Sequence, residues 1–294
     1  MVKMILKLSL CTGAYALVFA AANAFMPFSD EFKELVFSEP GNPLLLPVIS
    51  ALVCFTIFFM VRHANYTGIK LFLNMVFVLF FVQLFMAQIE TLFFGHAFSA
   101  LTTLDVILIM LAGLLPLLGV IPIMIKFFQN KNAAVNKAEI DVKSILPKLG
   151  IIGIIYAGIY MVFGYFVAWQ FEELRIFYSG SPEKLSLLGQ LANNMKTNPV
   201  IYPFQLLRGI MFGIFVVPLI NMFNAKKIFI ASICLVYSYL GYIFILPNAL
   251  FPNMVRLGHF LEMISSMLLF GIIVGNILWR VKENKGILNK RIAY

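Results

Sequence analysis

Eight stretches of this sequence are apolar and long enough to cross a membrane, and no other feature limits its possible folds as strongly. A helix needs about 20 apolar residues to cross a hydrocarbon layer roughly 30 Å thick. In lipid the backbone must satisfy its own hydrogen bonds, so such stretches are predicted to be helices. The eight predicted spans are residues 4–26, 43–61, 71–94, 104–125, 150–170, 200–222, 228–250 and 258–279.

The composition agrees with this interpretation. Of 294 residues, 62% are hydrophobic and 12% are charged, whereas an average globular domain is about 25% charged. These values exclude a water-soluble enzyme, a disordered regulator and a nucleic-acid-binding module. Because the connections are short, we predict one all-α transmembrane helix bundle over residues 1–294, without a separate soluble domain.

The distribution of lysine and arginine predicts the orientation of the bundle. Basic residues are enriched on cytoplasmic flanks, and placing both termini in the cytoplasm puts 16 of the 22 basic residues there. The residues on these predicted inner flanks are Lys3, Lys7, Arg62, Lys70, Lys126, Lys131, Lys137, Lys143, Lys148, Lys226, Lys227, Arg280, Lys282, Lys285, Lys290 and Arg291. The acidic residues outside the spans, Glu39 among them, fall mainly on the predicted extracytoplasmic side.

The first span has an alternative interpretation. Lys3 and Lys7 precede an apolar run that ends in Ala22-Asn23-Ala24, the pattern of a signal-peptide cleavage site. Cleavage would leave seven helices and an outside N-terminus. We favour a retained span, because the apolar character continues through residues 25–28.

Ionisable side chains within spans are costly unless they are paired or hydrated. Away from the span ends they occur only in the predicted extracytoplasmic half, at Glu90, Arg208 and Glu262, with Arg256 and His259 at the outer boundary of span eight. An acid–base pair of His259 and Glu262 is the catalytic prediction, since imidazole titrates near neutral pH.

Helical spacing extends this group to neighbouring polar residues. Gln205 and Arg208 share a face at i, i+3, and His259, Glu262 and Ser266 share one at i, i+3, i+7. Polar faces of spans three, six and eight are therefore predicted to line a common interior pocket. The predicted ligand-binding or ion-pair cluster comprises Gln83, Gln88, Glu90, Gln205, Arg208, Arg256, Ser265 and Ser266.

Glu90 requires a cationic partner in this interpretation. It lies near a helix C-terminus, where the helix dipole disfavours negative charge, and either Arg208 or Arg256 can bind it bidentately. A purely structural ion pair is an equal alternative. Asp105, at the start of span four, is predicted to complement the dipole at a helix N-terminus.

Small residues and prolines predict how some helices pack. Gly209-x-x-x-Gly213 and Gly271-x-x-x-Gly275 permit close approach of neighbouring helices. Glycine and proline at 113, 116, 119 and 122 predict a kink in span four. Residues 171–199 are predicted to be a surface connector, or a short amphipathic helix that covers a site.

No phosphate-binding loop, dinucleotide motif or zinc-ligand pattern occurs, so we predict no cofactor and no metal site. Residues 85–91 (FMAQIET), Arg208-Gly209 and Arg256-x-x-His259-x-x-Glu262-x-x-Ser265 do resemble a family of uncharacterised bacterial multi-pass membrane proteins. The resemblance covers spans three to eight. It implies the bacterial cytoplasmic membrane and no assigned activity.

The sequence therefore favours a membrane protein whose polar pocket recognises an amphiphilic or anionic, lipid-like ligand. Membrane lipids are the expected partners. A transporter or proton-coupled carrier is one alternative, although it predicts polar residues through the inner half as well. A structural subunit, in which the charges only hold helices together, is another.

Overall fold

The computed structural model describes residues 2–38, 44–130, 142–247 and 250–292, and their side chains except those of residues 37, 38, 142 and 280–292. Within this part of the chain the regular structure is helical. The α-helices are α1 (Val2–Phe25), α2 (Asp30–Ser38), α3 (Leu45–His63), α4 (Gly68–Leu79), α5 (Met86–Phe93), α6 (Thr103–Phe128), α7 (Val142–Phe166), α8 (Glu172–Ser179), α9 (Leu187–Thr197), α10 (Ile201–Val216), α11 (Leu219–Met222), α12 (Lys226–Tyr242) and α13 (Asn253–Ile292).

Eight helical segments in the described residues have the length and composition to cross a membrane, which confirms the predicted fold class. The segments are Val2–Phe25, Leu45–His63, Gly68–Phe93, Thr103–Phe128, Lys143–Gln170, Ile201–Met222, Lys226–Ile245 and Asn253–Trp279. The short helices α2, α8 and α9 lie in connections at one end of the bundle, here called the capped end. That this end is extracytoplasmic stays a prediction from the charge distribution.

Most helix ends differ from the predicted ends by a few residues, but α7 begins at Val142 rather than residue 150 and α13 continues to Ile292 rather than ending at residue 279. Span three begins at Gly68 rather than residue 71, and α13 begins at Asn253 rather than residue 258. Span six is divided before Pro218, because proline lacks the N–H that would continue α10. Four positions used in the sequence predictions lie outside the described residues, namely Glu39, Lys131, Lys137 and the predicted span start at residue 43.

Four helices meet in an aromatic core in the middle of the bundle. Tyr156 of α7 contacts Phe212 of α10, with ring centroids 5.1 Å apart. Tyr237 of α12 stacks on Phe270 of α13 at 5.5 Å, and its hydroxyl donates to the Phe212 carbonyl at 2.9 Å. All four rings are buried. They form an apolar layer between these four helices, called the aromatic layer below.

The glycine motifs bring helices close together, as predicted. A Cβ atom on Gly209 would lie 2.5 Å from Tyr156 Cβ, and one on Gly213 would also contact α7 too closely. In the same way Gly271 and Gly275 face α12 at distances that leave no room for a side chain. The α7–α10 and α12–α13 pairs therefore depend on glycine.

The backbone departs from α-helical geometry in span three, where the sequence does not predict it. Helix α6 continues through Pro116 and Pro122 as one element. Between α4 and α5 the chain forms a π-helical turn, Phe80–Phe85. Leu84 of this turn packs on Gly113, where a Cβ atom would lie 2.7 Å from its Cδ2. The glycine at 113 thus makes room for the π-turn.

Asp105 connects two elements at the capped end. Its carboxylate accepts hydrogen bonds from the Thr102 backbone N–H and hydroxyl, at 3.0 and 2.6 Å. It also accepts from the Ser29 backbone N–H and hydroxyl, both at 2.7 Å. The predicted role at a helix N-terminus is confirmed as a capping box of α6. The bonds to Ser29 additionally hold the start of α2 against α6.

We predict that Gly209→Val destabilises the protein by about 1–3 kcal/mol, because the new side chain would force α7 and α10 apart. Gly158→Val is the matched control, since Gly158 lies on α7 and a Cβ atom added to it would have no neighbour within 4 Å among the described residues. The midpoint of thermal unfolding in detergent measures both. Equal midpoints for the two variants would contradict close packing at Gly209.

Candidate functional site

A cavity of about 960 Å³ lies between the helices at the capped end. Residues of α1, α5, α6, α7, α9, α10, α12 and α13 form its wall, together with the π-turn and the segments between spans. Most of the wall is apolar or aromatic. The charged and titratable side chains on it are Glu90, His96, Tyr160, Tyr165, Tyr178, Arg208, Tyr239, His259 and Glu262.

An ion pair between Glu90 and Arg208 forms one side of this wall. The two guanidinium Nη atoms donate to the two carboxylate oxygens of Glu90, each at 2.7 Å. Arg208 is 1% exposed, so the charge has been removed from solvent and depends on its partner. The structure thus selects Arg208, rather than Arg256, from the two predicted partners of Glu90.

Further contacts hold the Arg208 guanidinium in place. Nη1 also donates to Gln205 Oε1 at 3.0 Å, and Nη2 donates to the Met86 carbonyl at 3.4 Å. Phe204 lies beside the guanidinium and stacks face to face on Phe93 of α5, with centroids 3.9 Å apart. Each Nη atom therefore has two acceptors, and α5 and α10 are aligned by both the ion pair and the stacked rings.

A second polar group on the wall consists of Tyr178, His259 and Glu262. His259 Nδ1 lies 3.2 Å from Glu262 Oε2, and Nε2 lies 2.9 Å from the Tyr178 hydroxyl. The imidazole is stacked on Phe244, with centroids 5.0 Å apart. Both ring nitrogens are thus engaged and the plane of the ring is fixed.

The directions of these hydrogen bonds are assigned from the chemistry of Glu262. A carboxylate only accepts, so we place the imidazole proton on Nδ1, which donates to Glu262, and Nε2 accepts from the Tyr178 hydroxyl. Burial, followed by the negative charges of Glu90 and Glu262, raises the pKa of Tyr178 well above its ordinary value of 10.0, so the hydroxyl keeps its proton.

The structure brings together six of the ten predicted site residues on the cavity wall. They are Gln83, Gln88, Glu90, Arg208, His259 and Glu262. Gln83 lies in the π-turn and donates to the Val236 carbonyl of α12 at 3.4 Å.

The other four predicted site residues lie away from the wall. Gln205 is buried behind it and supports Arg208. Arg256 donates to the Ile245 carbonyl at 3.4 Å and to the Asn253 side chain. Ser265 is on the outer surface of α13 and donates to the Leu261 carbonyl at 2.6 Å. Ser266 is buried but is not part of the wall.

Helix α9 covers the cavity with a polar face, in agreement with the second of the two predictions for residues 171–199. Gln190 and Asn194 face the cavity and are joined by a hydrogen bond of 2.9 Å, while Leu188 is exposed on the opposite side. Two tyrosine hydroxyls hold the helix in position. Tyr165 donates to the Leu185 carbonyl at 2.9 Å, and Tyr202 donates to the Leu191 carbonyl at 2.8 Å.

Sequence reasoning misses several residues of this site. Tyr178 and Trp169 lie in or next to a connection that carries no motif. Arg175 has the sequence context of a basic loop residue, but it is buried and donates to the carbonyls of Pro182 and Trp169 at 2.7 and 2.8 Å. The one available signal is the run of amide side chains in residues 190–198, which the predicted amphipathic helix does not single out.

Some polar atoms of the wall residues have no hydrogen-bond partner within the described part of the chain. They are Gln88 Oε1, Trp169 Nε1 and Arg208 Nε. Buried polar atoms are normally paired, and these three are enclosed within the wall rather than exposed to the cavity.

Comparisons with known proteins give no assignment for this site. The chain matches no protein-family model, no curated protein and no solved structure. The resemblance to bacterial multi-pass membrane proteins therefore stays a prediction. Among the described residues, no group of three or more His, Cys, Asp or Glu side chains is arranged to hold a metal ion.

We predict that Glu90→Arg destabilises the bundle by about 3–5 kcal/mol, because it leaves Arg208 buried beside a like charge. The exchanged pair Glu90→Arg with Arg208→Glu should recover most of this loss. Glu90→Arg with Arg256→Glu is the matched control and should recover none. The midpoint of thermal unfolding measures all three, and recovery by the Arg256 variant alone would contradict the observed pairing.

Proposed function

We propose that this integral membrane protein binds an amphiphilic, lipid-like ligand in the cavity at the capped end of its bundle. One observation carries the proposal. A cavity of about 960 Å³ has a largely apolar wall and a fixed polar group at one side, which is the combination expected of a site for a molecule with an apolar and a polar part. We also propose that the membrane is the bacterial cytoplasmic membrane, in line with the sequence resemblance.

The distribution of polarity supports a binding pocket rather than a transport path. The polar wall residues lie toward the capped end of their helices. On the far side of Arg208 the aromatic layer of Tyr156, Phe212, Tyr237 and Phe270 is fully packed. A transporter or proton-coupled carrier would need a polar route through this layer.

The polar groups also argue against a purely structural role for the charges. An ion pair that only joined two helices would need no cavity beside it. Here Glu90 and Arg208 both lie on the wall, and so do His259 and Glu262 from a third helix. A role as a structural or assembly subunit is therefore the less favoured alternative.

Acid–base chemistry at His259 and Glu262 stays a prediction. Glu262 orients the imidazole, Tyr178 is hydrogen-bonded to Nε2, and both His259 and Tyr178 lie on the cavity wall. In such a reaction both side chains would face the ligand.

The proposal predicts that filling the cavity abolishes ligand binding without unfolding the protein. Gly164 of α7 lies on the wall, and the nearest neighbour of an added Cβ atom is Glu262 Oε1 at an ordinary 3.8 Å. Gly164→Trp therefore places an indole ring in the cavity. Lipid retained by the purified protein, counted by native mass spectrometry, should fall at least about tenfold.

Gly158→Trp is the matched control, because Gly158 lies on the surface of the same helix and an added Cβ atom meets none of the described residues within 4 Å. This variant should retain as much lipid as the unaltered protein. Equal lipid retention by the Gly164→Trp and Gly158→Trp variants, at similar thermal stability, would overturn the proposal.

A further inference from the structure

The chemistry of the cavity wall narrows the ligand class, on the basis of the function proposed above. The first observation concerns charge. Within the described residues the wall carries one guanidinium, Arg208, and two carboxylates, Glu90 and Glu262. Arg208 and Glu90 neutralise each other at 2.7 Å, and Glu262 shares a hydrogen bond with His259. Each ionised group of the wall is therefore already engaged with a protein partner before any ligand binds.

An anionic head group would have to compete for cations that are already engaged. Both Nη atoms of Arg208 donate to Glu90 and to a second acceptor. Arg175, close to the cavity, donates to two backbone carbonyls, and Lys184 donates to Gln170 Oε1 at 2.7 Å. A phosphate would thus displace an existing partner, at the cost of leaving a buried carboxylate unpaired.

The second observation concerns the neutral polar groups. The wall includes neutral side-chain amides and hydroxyls from α1, α5, α9 and the residue that follows α9, among them Asn23, Gln88, Thr91, Gln190, Asn194 and Asn198. Each of these groups both donates and accepts hydrogen bonds. A phosphate only accepts and a quaternary ammonium group has no N–H to donate, so neither satisfies both the donors and the acceptors of such a wall.

The third observation concerns aromatic rings. Trp169 and Tyr178 lie on the wall, and the C–H faces of a sugar ring pack well on aromatic surfaces.

From these three observations we infer that the ligand's head group is uncharged and rich in hydroxyl groups, as in a glycolipid. The sugar lies beneath α9, between its amides and the aromatic residues, and the acyl chains occupy the apolar part of the cavity. The ion pair of Glu90 and Arg208 supports the wall and does not bind an anion.

The experiment compares three lipids that share two oleoyl chains and differ only in the head group. They are a monoglucosyl diacylglycerol, phosphatidic acid and a trimethylammonium lipid. The unaltered protein is purified in a polyoxyethylene detergent, so that no sugar detergent competes, and bound lipid is counted by native mass spectrometry. We expect the glucolipid to be retained at least about tenfold better than either charged lipid.

A pair of variants tests the role of α9. The double variant Gln190→Leu with Asn194→Leu removes two amides from the wall and should lower glucolipid retention at least about fivefold. Lys196→Leu adds a leucine to the exposed side of the same helix and should leave retention unchanged. Equal retention by the double variant and the Lys196→Leu control would overturn the role of these amides.

The outcomes separate this inference from the proposed function. Preferred retention of phosphatidic acid or of the cationic lipid would overturn the inference of an uncharged head group. It would still agree with the proposed lipid-binding cavity. Retention of all three lipids at the level of the Gly164→Trp variant overturns both. The comparison of the three lipids uses the unaltered protein, so it does not depend on the folding of any variant.

Discussion

A charge buried among apolar helices must be paired, and in this protein that requirement is met by Arg208 and Glu90. Arg208 is 1% exposed and lies on a helix whose other residues are mostly apolar. Its guanidinium is complementary to the carboxylate in charge and in bidentate geometry. Because Glu90 lies in the last turns of α5, the pair also offsets the unfavourable dipole at that helix end. The relative position of α5 and α10, and with it one side of the cavity, depends on this contact.

Because buried charges must be paired, the charged groups of the site are hydrogen-bonded to partners within the protein. Glu262 is 4% exposed and is oriented toward His259, whose second nitrogen is bound by Tyr178. Glycine contacts and the aromatic layer hold the surrounding helices, and the π-turn brings Gln83 to the same wall. What remains available to a ligand is a set of neutral amides, hydroxyls and aromatic rings. An apolar cavity with such a set is suited to an amphiphile with an uncharged head.

Most of the fold can be predicted from local sequence, because membrane spans are determined by length and hydropathy alone. All eight spans follow from these two properties, and the close contacts at Gly209 and Gly271 follow from spacing on one helix. The helix ends are predicted less accurately, since they depend on capping. The π-turn at Phe80–Phe85 has no local signal, because it arises from the packing of Leu84 against Gly113 of another helix.

For the site, the sequence by itself determined that Glu90, Arg208, His259 and Glu262 are costly in lipid and must find partners. Only the tertiary structure decided which partners they find. The sequence allows Arg256 as a partner of Glu90, because both lie near the same predicted membrane face. The Arg256 side chain instead donates to Ile245 and Asn253. Tyr178 completes the His259 group from a connection that carries no motif. Periodicity specifies the face of one helix, whereas the distance between side chains of different helices depends on how all of them pack.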